Sequence, residues 1–277
     1  MATITARPPR RIGDLLDLAF QVYRAHFATL VGIVALPLVP LAVVRLLLVA
    51  PAATAFDLLR DLVVVQLIAG VLAHAAVRLE RRLPVTPLAA YHLPLRRYIF
   101  LLGALLLQAL IIGAPMGVLG GCLVLAFMPI SVRDASFMLG GALLAFLAVP
   151  GLYLIARTLF IAQAVMAEGC NPEAAFKRSW ALTRDGTWRI EGIVLLTTLL
   201  SLLVSALPAQ GAQWALATLE PASAATLLRN EAIVFGVGQL GLLLMLPLQT
   251  LIYTLLYIDI RVRREGYDIA LLLSAAR

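Results

Sequence analysis

Lysine is almost missing from this sequence: of 22 basic residues among 277, Lys177 is the single lysine and arginine supplies the rest. Charge of either sign is scarce. The charged fraction is 13%, where soluble domains carry about a quarter. With a hydrophobic fraction of 62% and a mean hydropathy of +0.98, the chain is neither a soluble globular domain nor a disordered tail, which needs low hydrophobicity. Cysteine is rare too. Cys122 and Cys170 are the two present, which excludes a disulfide scaffold and a metal site made by cysteine spacing. The topology derived below sets them at opposite depths of a bilayer, beyond the roughly 7 Å between Cα atoms that a disulfide spans, so no bond is expected.

Catalytic signatures are missing as well. No glycine-rich phosphate loop, nucleophile elbow or metal-ligand spacing occurs, and His26, His74 and His92 stand in no metal constellation. No enzymatic activity, cofactor or metal is expected. The net charge of +7 would suggest nucleic acid on a soluble protein. Here no zinc spacing, RNA-binding aromatic signature or DNA-reading basic helix accompanies it. In a membrane protein such an excess reports topology and contact with anionic lipid headgroups.

Long apolar runs are what the chain has. About 20 apolar residues cross a hydrocarbon core, and six such stretches are present: Phe27–Val49, Phe56–Leu79, one between Arg97 and Arg133 with a break expected around Pro115–Gly121, Ala135–Ala167, Gly192–Ala209 and Ala232–Ile260. The expected fold is therefore all-α, a polytopic membrane protein with six transmembrane helices in a single domain over 1–277. Ala53-Thr54-Ala55 resembles a signal-cleavage site, but the apolar run before it is too long for a signal peptide, so the first span is expected to be permanent.

Basic residues sort against the spans. Arg7, Arg10, Arg11 and Arg24 precede the first. Arg78, Arg81, Arg82, Arg96 and Arg97 separate the second from the third. Lys177, Arg178, Arg184 and Arg189 separate the fourth from the fifth, and Arg261, Arg263, Arg264 and Arg277 follow the sixth. The positive-inside rule then puts both termini in the cytoplasm.

Each odd-numbered span is preceded by an amphipathic segment. In Ile12–His26, Leu15, Leu18, Ala19 and Val22 recur at helical spacing, with Asp14, Asp17, Gln21 and Arg24 elsewhere. In Thr86–Arg97 the apolar set is Leu88, Tyr91 and Leu95; in Asn171–Arg184 it is Phe176, Trp180 and Thr183. Such a stripe with basic residues opposite suits a helix lying in the headgroup plane. Thr86-Pro87 and Asn171-Pro172 each set an N-cap residue before a proline at the first helical position. Gly32-Ile33-Val34 shares its register with Gly192-Ile193-Val194, and Phe20 with Trp180. The expected unit is thus an interfacial helix, a span out and a span back, repeated over about 11–82, 83–169 and 170–268 as three parallel repeats. Parallel repeats occur in transporters without implying transport.

Pro150-Gly151-Leu152-Tyr153-Leu154 with Arg157, the run Glu168-Gly169-Cys170-Asn171-Pro172-Glu173-Ala174-Ala175-Phe176-Lys177-Arg178-Ser179-Trp180, the run from Leu255 to Asp268, and Ile12–Phe20 together resemble the membrane domain named for glycerophosphoryl diester phosphodiesterases. The resemblance implies a bacterial integral membrane protein of the cytoplasmic membrane. In some members a separate catalytic barrel follows this domain. None fits within these 277 residues, so phosphodiester cleavage is not carried over.

Among single residues Arg157 is the most informative. It lies about 15 Å of helix from the basic end of its span, at a depth where an arginine faces the bundle and finds a partner. Asp259 is the first candidate partner and Glu191 the second, giving either a structural ion pair or a substrate or headgroup site. Asp259 and His74 share a register six residues before Glu265 and Glu80, a level that could relay protons or simply hydrogen-bond and snorkel. Trp180 and Trp188 read as interfacial anchors. Gln108, Gln163 and Gln249 are candidate interhelical glue, and Gly117 with Gly121 a close-packing pair.

Two functions compete. The first is a non-enzymatic module whose basic interfacial helices contact anionic lipid and dock a partner protein, through Arg96, Arg97, Lys177, Arg178, Arg184 and Arg189 and through Arg261, Arg263 and Arg264. The second is a transporter or lipid-handling permease with its site at Arg157 and Asp259.

Overall fold

The computed structural model describes residues 11–48, 51–80, 83–127, 150–184, 187–219 and 223–265. Every regular element among them is helical. In chain order these are α1 (Ile12–Ala25), α2 (Phe27–Leu46), α3 (Ala52–Glu80), α4 (Pro87–Ala90), α5 (Leu95–Phe127), α6 (Pro150–Glu168), α7 (Pro172–Leu182), α8 (Thr187–Thr218) and α9 (Ala224–Glu265). Six of them (α2, α3, α5, α6, α8 and α9) are long and apolar enough to cross a membrane. Leu47, Leu62, Leu106 and Val118 are each more than 60% exposed. In water such a surface would be an aggregation liability; in lipid it is the ordinary outer face of a multi-pass protein. Trp188 and Trp214 are 87% and 75% exposed, as suits aromatic side chains at membrane interfaces.

Several spans differ from their expected bounds. The apolar run between Arg97 and Arg133 contains no break near Pro115: α5 passes through that proline as one helix. A bilayer tolerates such a proline because the freed backbone groups find partners locally. Among the described residues a Cβ added at Gly117 would meet nothing within 4 Å, so none of them packs closely there, and the surroundings of Gly121 and the side chain of Cys122 lie outside what is described. The stretch 135–149 of the fourth expected span, with Arg7, Arg10, Arg81, Arg82, Arg133 and Arg277, also lies outside them.

The helices form two compact units, 1–95 with 195–277, and 96–194.

In the first unit α1 packs on α9, and α4 packs on α2 and α3. Leu15 and Ala19 of α1 are fully buried, while Asp14, Asp17, Gln21 and Arg24 are exposed, as the stripe requires. The Asp14 carboxylate accepts the Arg11 backbone N–H at 3.1 Å, helping to close the helix start. Two proline-disturbed turns are bound by tyrosine. Pro37 has no N–H to give Ile33, and the Tyr91 hydroxyl donates to that carbonyl at 2.6 Å instead. The Tyr23 hydroxyl donates at 3.0 Å to the Leu244 carbonyl, in the turn that Pro247 interrupts. The second amphipathic segment is shorter than expected. Pro87–Ala90 forms a single helical turn, capped by Thr86 Oγ1 accepting the Ala89 N–H, and helix resumes at Leu95 as the start of α5. Pro94 disfavours helix in the residue before it, and Leu88 and Leu95 are exposed.

In the second unit α7 packs on α6. Its start is as expected: Asn171 Oδ1 accepts the Ala174 N–H at 2.8 Å with Pro172 at the first helical position. The buried stripe is not the expected one. Ala175, Ser179, Leu182 and Thr183 are buried, whereas Phe176 and Trp180 flank them half-buried. The helix is rotated by about one residue, roughly 100°, because Ser179 has a backbone to repair, as described next.

Candidate functional site

Helix α6 breaks at Leu159–Phe160, where Phe160 leaves helical geometry at φ −92°, ψ 7°. A break inside a bundle strands backbone groups that must find partners. Ser179 supplies both. Its hydroxyl donates to the Arg157 carbonyl at 2.8 Å and accepts the Phe160 N–H at 3.2 Å. One buried serine thus replaces a piece of the α6 ladder and fixes α7 against it. Beyond the break, α6 ends in a π-helical turn, Ala164–Glu168, and stops at Gly169 with φ +72°. That left-handed position favours glycine. The Glu168 carboxylate ion-pairs with Arg178 at 3.0 Å, tying the start of the connection to α7.

This architecture positions Arg157. It is 6% exposed. Its Nη1 donates to Thr183 Oγ1 at 3.1 Å. The guanidinium carbon lies 4.1 Å from the Trp180 ring centroid and 5.8 Å from that of Tyr153. Its Nε is buried without an acceptor. Among the described residues of its unit no carboxylate forms an ion pair with it. Arginine at membrane depth costs at least about 2.5–3.5 kcal/mol. A desolvated cation–π contact returns about 2 kcal/mol, and a hydrogen bond to a charged group about 1.5–3 kcal/mol. The contacts roughly offset the cost and leave positive charge uncompensated.

Behind Trp180 lies an open groove of about 490 Å³, lined by Phe176, Lys177, Trp180, Ala181 and Arg184. Lys177 is held by Glu173 one turn away at 2.5 Å, and hydrogen bonding to Lys177 keeps the Glu173 carboxyl below its ordinary value. Arg184 is exposed on the rim, and Trp188 follows it.

The first expected partner of Arg157 is engaged by another arginine. Asp259 lies in the first unit and pairs with Arg263 at 2.9 Å. Glu191 is half-buried near the start of α8, and His74 half-buried in α3. Several expected headgroup contacts are tied internally: Arg97 donates to the Met166 carbonyl at 3.2 Å, Arg261 pairs with Glu265 at 3.1 Å, and Arg96 lies 4.8 Å from the Phe100 ring. Arg189 is half-buried and Arg264 exposed. Gln108 of α5 donates to Thr158 Oγ1 of α6 at 3.2 Å, an interhelical bond of the kind expected, whereas Gln249 donates to the Tyr253 hydroxyl at 3.1 Å within α9 itself.

A second polar centre lies in the first unit. At the junction of α2 and α3, Arg45 binds Asp57 at 2.7 Å and Glu231 at 2.6 Å. Arg60 binds Asp61 at 3.0 Å and lies 3.0 Å from Asp57 Oδ1, a charge contact without hydrogen-bond alignment. Both guanidinium groups lie over Phe235 of α9, 5.2 and 5.3 Å from its centroid. Arg60 opens a π-helical turn, Arg60–Val64. The sequence signal was the spacing Asp57, Arg60, Asp61; the contribution of Glu231, 186 residues from Arg45, had none.

Comparison with protein-family models, with curated proteins and with solved structures returns no match.

Proposed function

We propose that this chain is a non-enzymatic module of a bacterial cytoplasmic membrane, with both termini cytoplasmic, that contacts anionic lipid and docks a partner protein through helices at the cytoplasmic headgroup level. The observation that carries the reading is the groove on α7. Its aromatic floor of Phe176 and Trp180 lies between two cationic side chains, Lys177 and Arg184, with the exposed Trp188 beside it in sequence. Apolar rings flanked by cations suit the boundary between acyl chains and phosphates.

The three-repeat organisation belongs to the same proposal. A Cβ at Gly32 would lie 3.0 Å from Pro87, and one at Gly103 would lie 3.0 Å from Pro172. In both cases the first-turn proline of an amphipathic helix seats on a glycine of the span before it. The equivalence extends further. Counting four residues on from Ile33 and from Ala104 gives Pro37 and Gln108. Where the proline frees a carbonyl, the docking helix brings the hydroxyl of Tyr91. Where no proline stands, it brings Phe176, which has no hydroxyl to donate. A repeat of one plan, adjusted at one backbone group, accounts for both.

The test is enrichment of anionic lipid around the reconstituted protein in bilayers of mixed phosphatidylcholine and phosphatidylglycerol. After extraction with a minimal lipid shell, the shell is expected to be richer in phosphatidylglycerol than the bilayer. Neutralising Lys177, Arg184 and Arg189 to Gln together is expected to bring it back to the bulk composition. An unchanged shell would overturn the reading.

A further inference from the structure

The structure assigns Arg157 a ligand: we infer that it binds the phosphate of a single anionic membrane lipid seated in the α7 groove, with Trp180 as the movable cover between them. The inference rests on the lipid-contacting reading and deepens it from a diffuse collar to one defined site.

Two independent observations converge. Arg157 is 94% buried by its 6% exposure, yet among the described residues of its unit its charge meets a hydroxyl and two aromatic rings and no carboxylate, and its Nε finds no acceptor there. Nε and one terminal nitrogen make the two-donor edge of a guanidinium, the edge that receives a phosphate side-on. The groove next to it is amphipathic and cationic. Trp180 belongs to both: its ring stacks on the guanidinium and also lines the groove. The Trp180 ring is held by the cation–π contact and by the Phe176 ring 5.6 Å away; a phosphate gives that cation a full counter-charge and two hydrogen bonds in place of a quadrupole, and so displaces the ring.

The groove also selects the source of the phosphate. Lys177 and Arg184 neutralise an anion on its way in, while Phe176, Ala181 and the displaced Trp180 ring offer apolar surface to the glycerol and first acyl carbons. Free phosphate has no use for that surface. Thr183 keeps the guanidinium in place, because its hydroxyl is itself anchored to the Ser179 carbonyl at 2.9 Å. Glu173, three residues before Phe176, is engaged by Lys177.

The experiment uses the full chain in phosphatidylcholine nanodiscs with Trp188→Phe and Trp214→Phe, which leaves Trp180 as the sole tryptophan of three. Phosphatidylglycerol is titrated in and Trp180 emission is followed, with native mass spectrometry counting retained lipid. A saturable emission change at one lipid per protein is expected. Arg157→Gln is expected to weaken it at least tenfold, and Arg157→Lys, which keeps the charge but loses the fork, by less. Without phosphatidylglycerol the Arg157→Gln protein is expected to melt no lower than its parent, since it sheds an uncompensated buried charge. A titration curve unchanged by Arg157→Gln would overturn the proposal, and so would a lower melting point with no lipid dependence. An equal response to inorganic phosphate would overturn the lipid assignment. Shell enrichment unchanged on neutralising the rim, while Trp180 of the protein with its rim intact still responds, would sink the collar and spare this site. Enrichment intact with Trp180 silent would sink this site and spare the collar.

Discussion

Arg45 and Arg60 in the first unit, and Arg157 in the second, all lie in or at the ends of apolar spans, and their surroundings treat them in opposite ways. The first two face three carboxylates, from Asp57, Asp61 and Glu231, and share the face of Phe235. Their charge is answered inside the protein, and three helices are tied together in the process. Arg157 has one hydroxyl and two rings. Burial alone therefore does not tell a structural arginine from one held ready for a ligand. The presence or absence of a counter-charge does. A buried pair is costly to break because the survivor is left charged in a low dielectric; a cation kept waiting is costly to keep.

Three substitutions put numbers on that contrast. The largest effect is expected from Asp57→Asn, which removes the carboxylate shared by Arg45 and Arg60. Loss of one partner of a buried pair costs about 3–5 kcal/mol. Asp57 is 28% exposed, which discounts the effect toward the lower figure, and denaturant titration in bicelles measures it. A loss under about 1 kcal/mol would mean that the cluster behaves like an exposed pair and the contrast is false. Next comes Thr183→Val, which takes away the one hydroxyl on Arg157 and leaves a second donor unmet, at about 1–3 kcal/mol. Added phosphatidylglycerol is expected to restore part of that loss in the second unit and none of the Asp57→Asn loss in the first. Equal rescue of both variants would erase the distinction.

The smallest effect concerns the exposed pair on the groove rim. Lys177 lowers the pKa of Glu173 below its ordinary 4.5. A depressed carboxyl contributes stability above its unfolded pKa and loses it as pH falls through the folded value. Glu173→Gln is therefore expected to lower the melting point slightly at pH 7 and to make no difference once pH is well below 4.5, the ordinary value. A difference that persists in strong acid would point to something other than the ion pair.

Much of the frame was legible without coordinates. The apolar runs mark six helices because a backbone in hydrocarbon must satisfy itself, and Thr86-Pro87 and Asn171-Pro172 mark two helix starts because proline needs no N–H there. The Leu15–Ala19 stripe of α1 was readable for the same reason, since one helix face meets one neighbour. What escaped depends on partners distant in the chain. Nothing local to Phe176 and Trp180 shows that the buried face of α7 is Ala175, Ser179 and Thr183. That choice follows from a broken turn in α6, which demands a hydroxyl. The apolar period over Thr86–Arg97 is cut to one helical turn by Pro94, a local signal that acts against the period. Arg157 stands out in the sequence, and Asp259 and Glu191 stand out as partners because opposite charge is what a sequence advertises. Rings and hydroxyls are not advertised in that way.

The sequence by itself determined that the chain is helical and apolar enough to cross a membrane six times, because composition and run length act residue by residue through transfer free energy. Only the tertiary structure decided which arginines are answered by carboxylate and which is left with its charge open. Pairing is a property of positions brought together from far along the chain, as Arg45 and Glu231 are, and of a hydroxyl placed where one helix is broken, as Ser179 is.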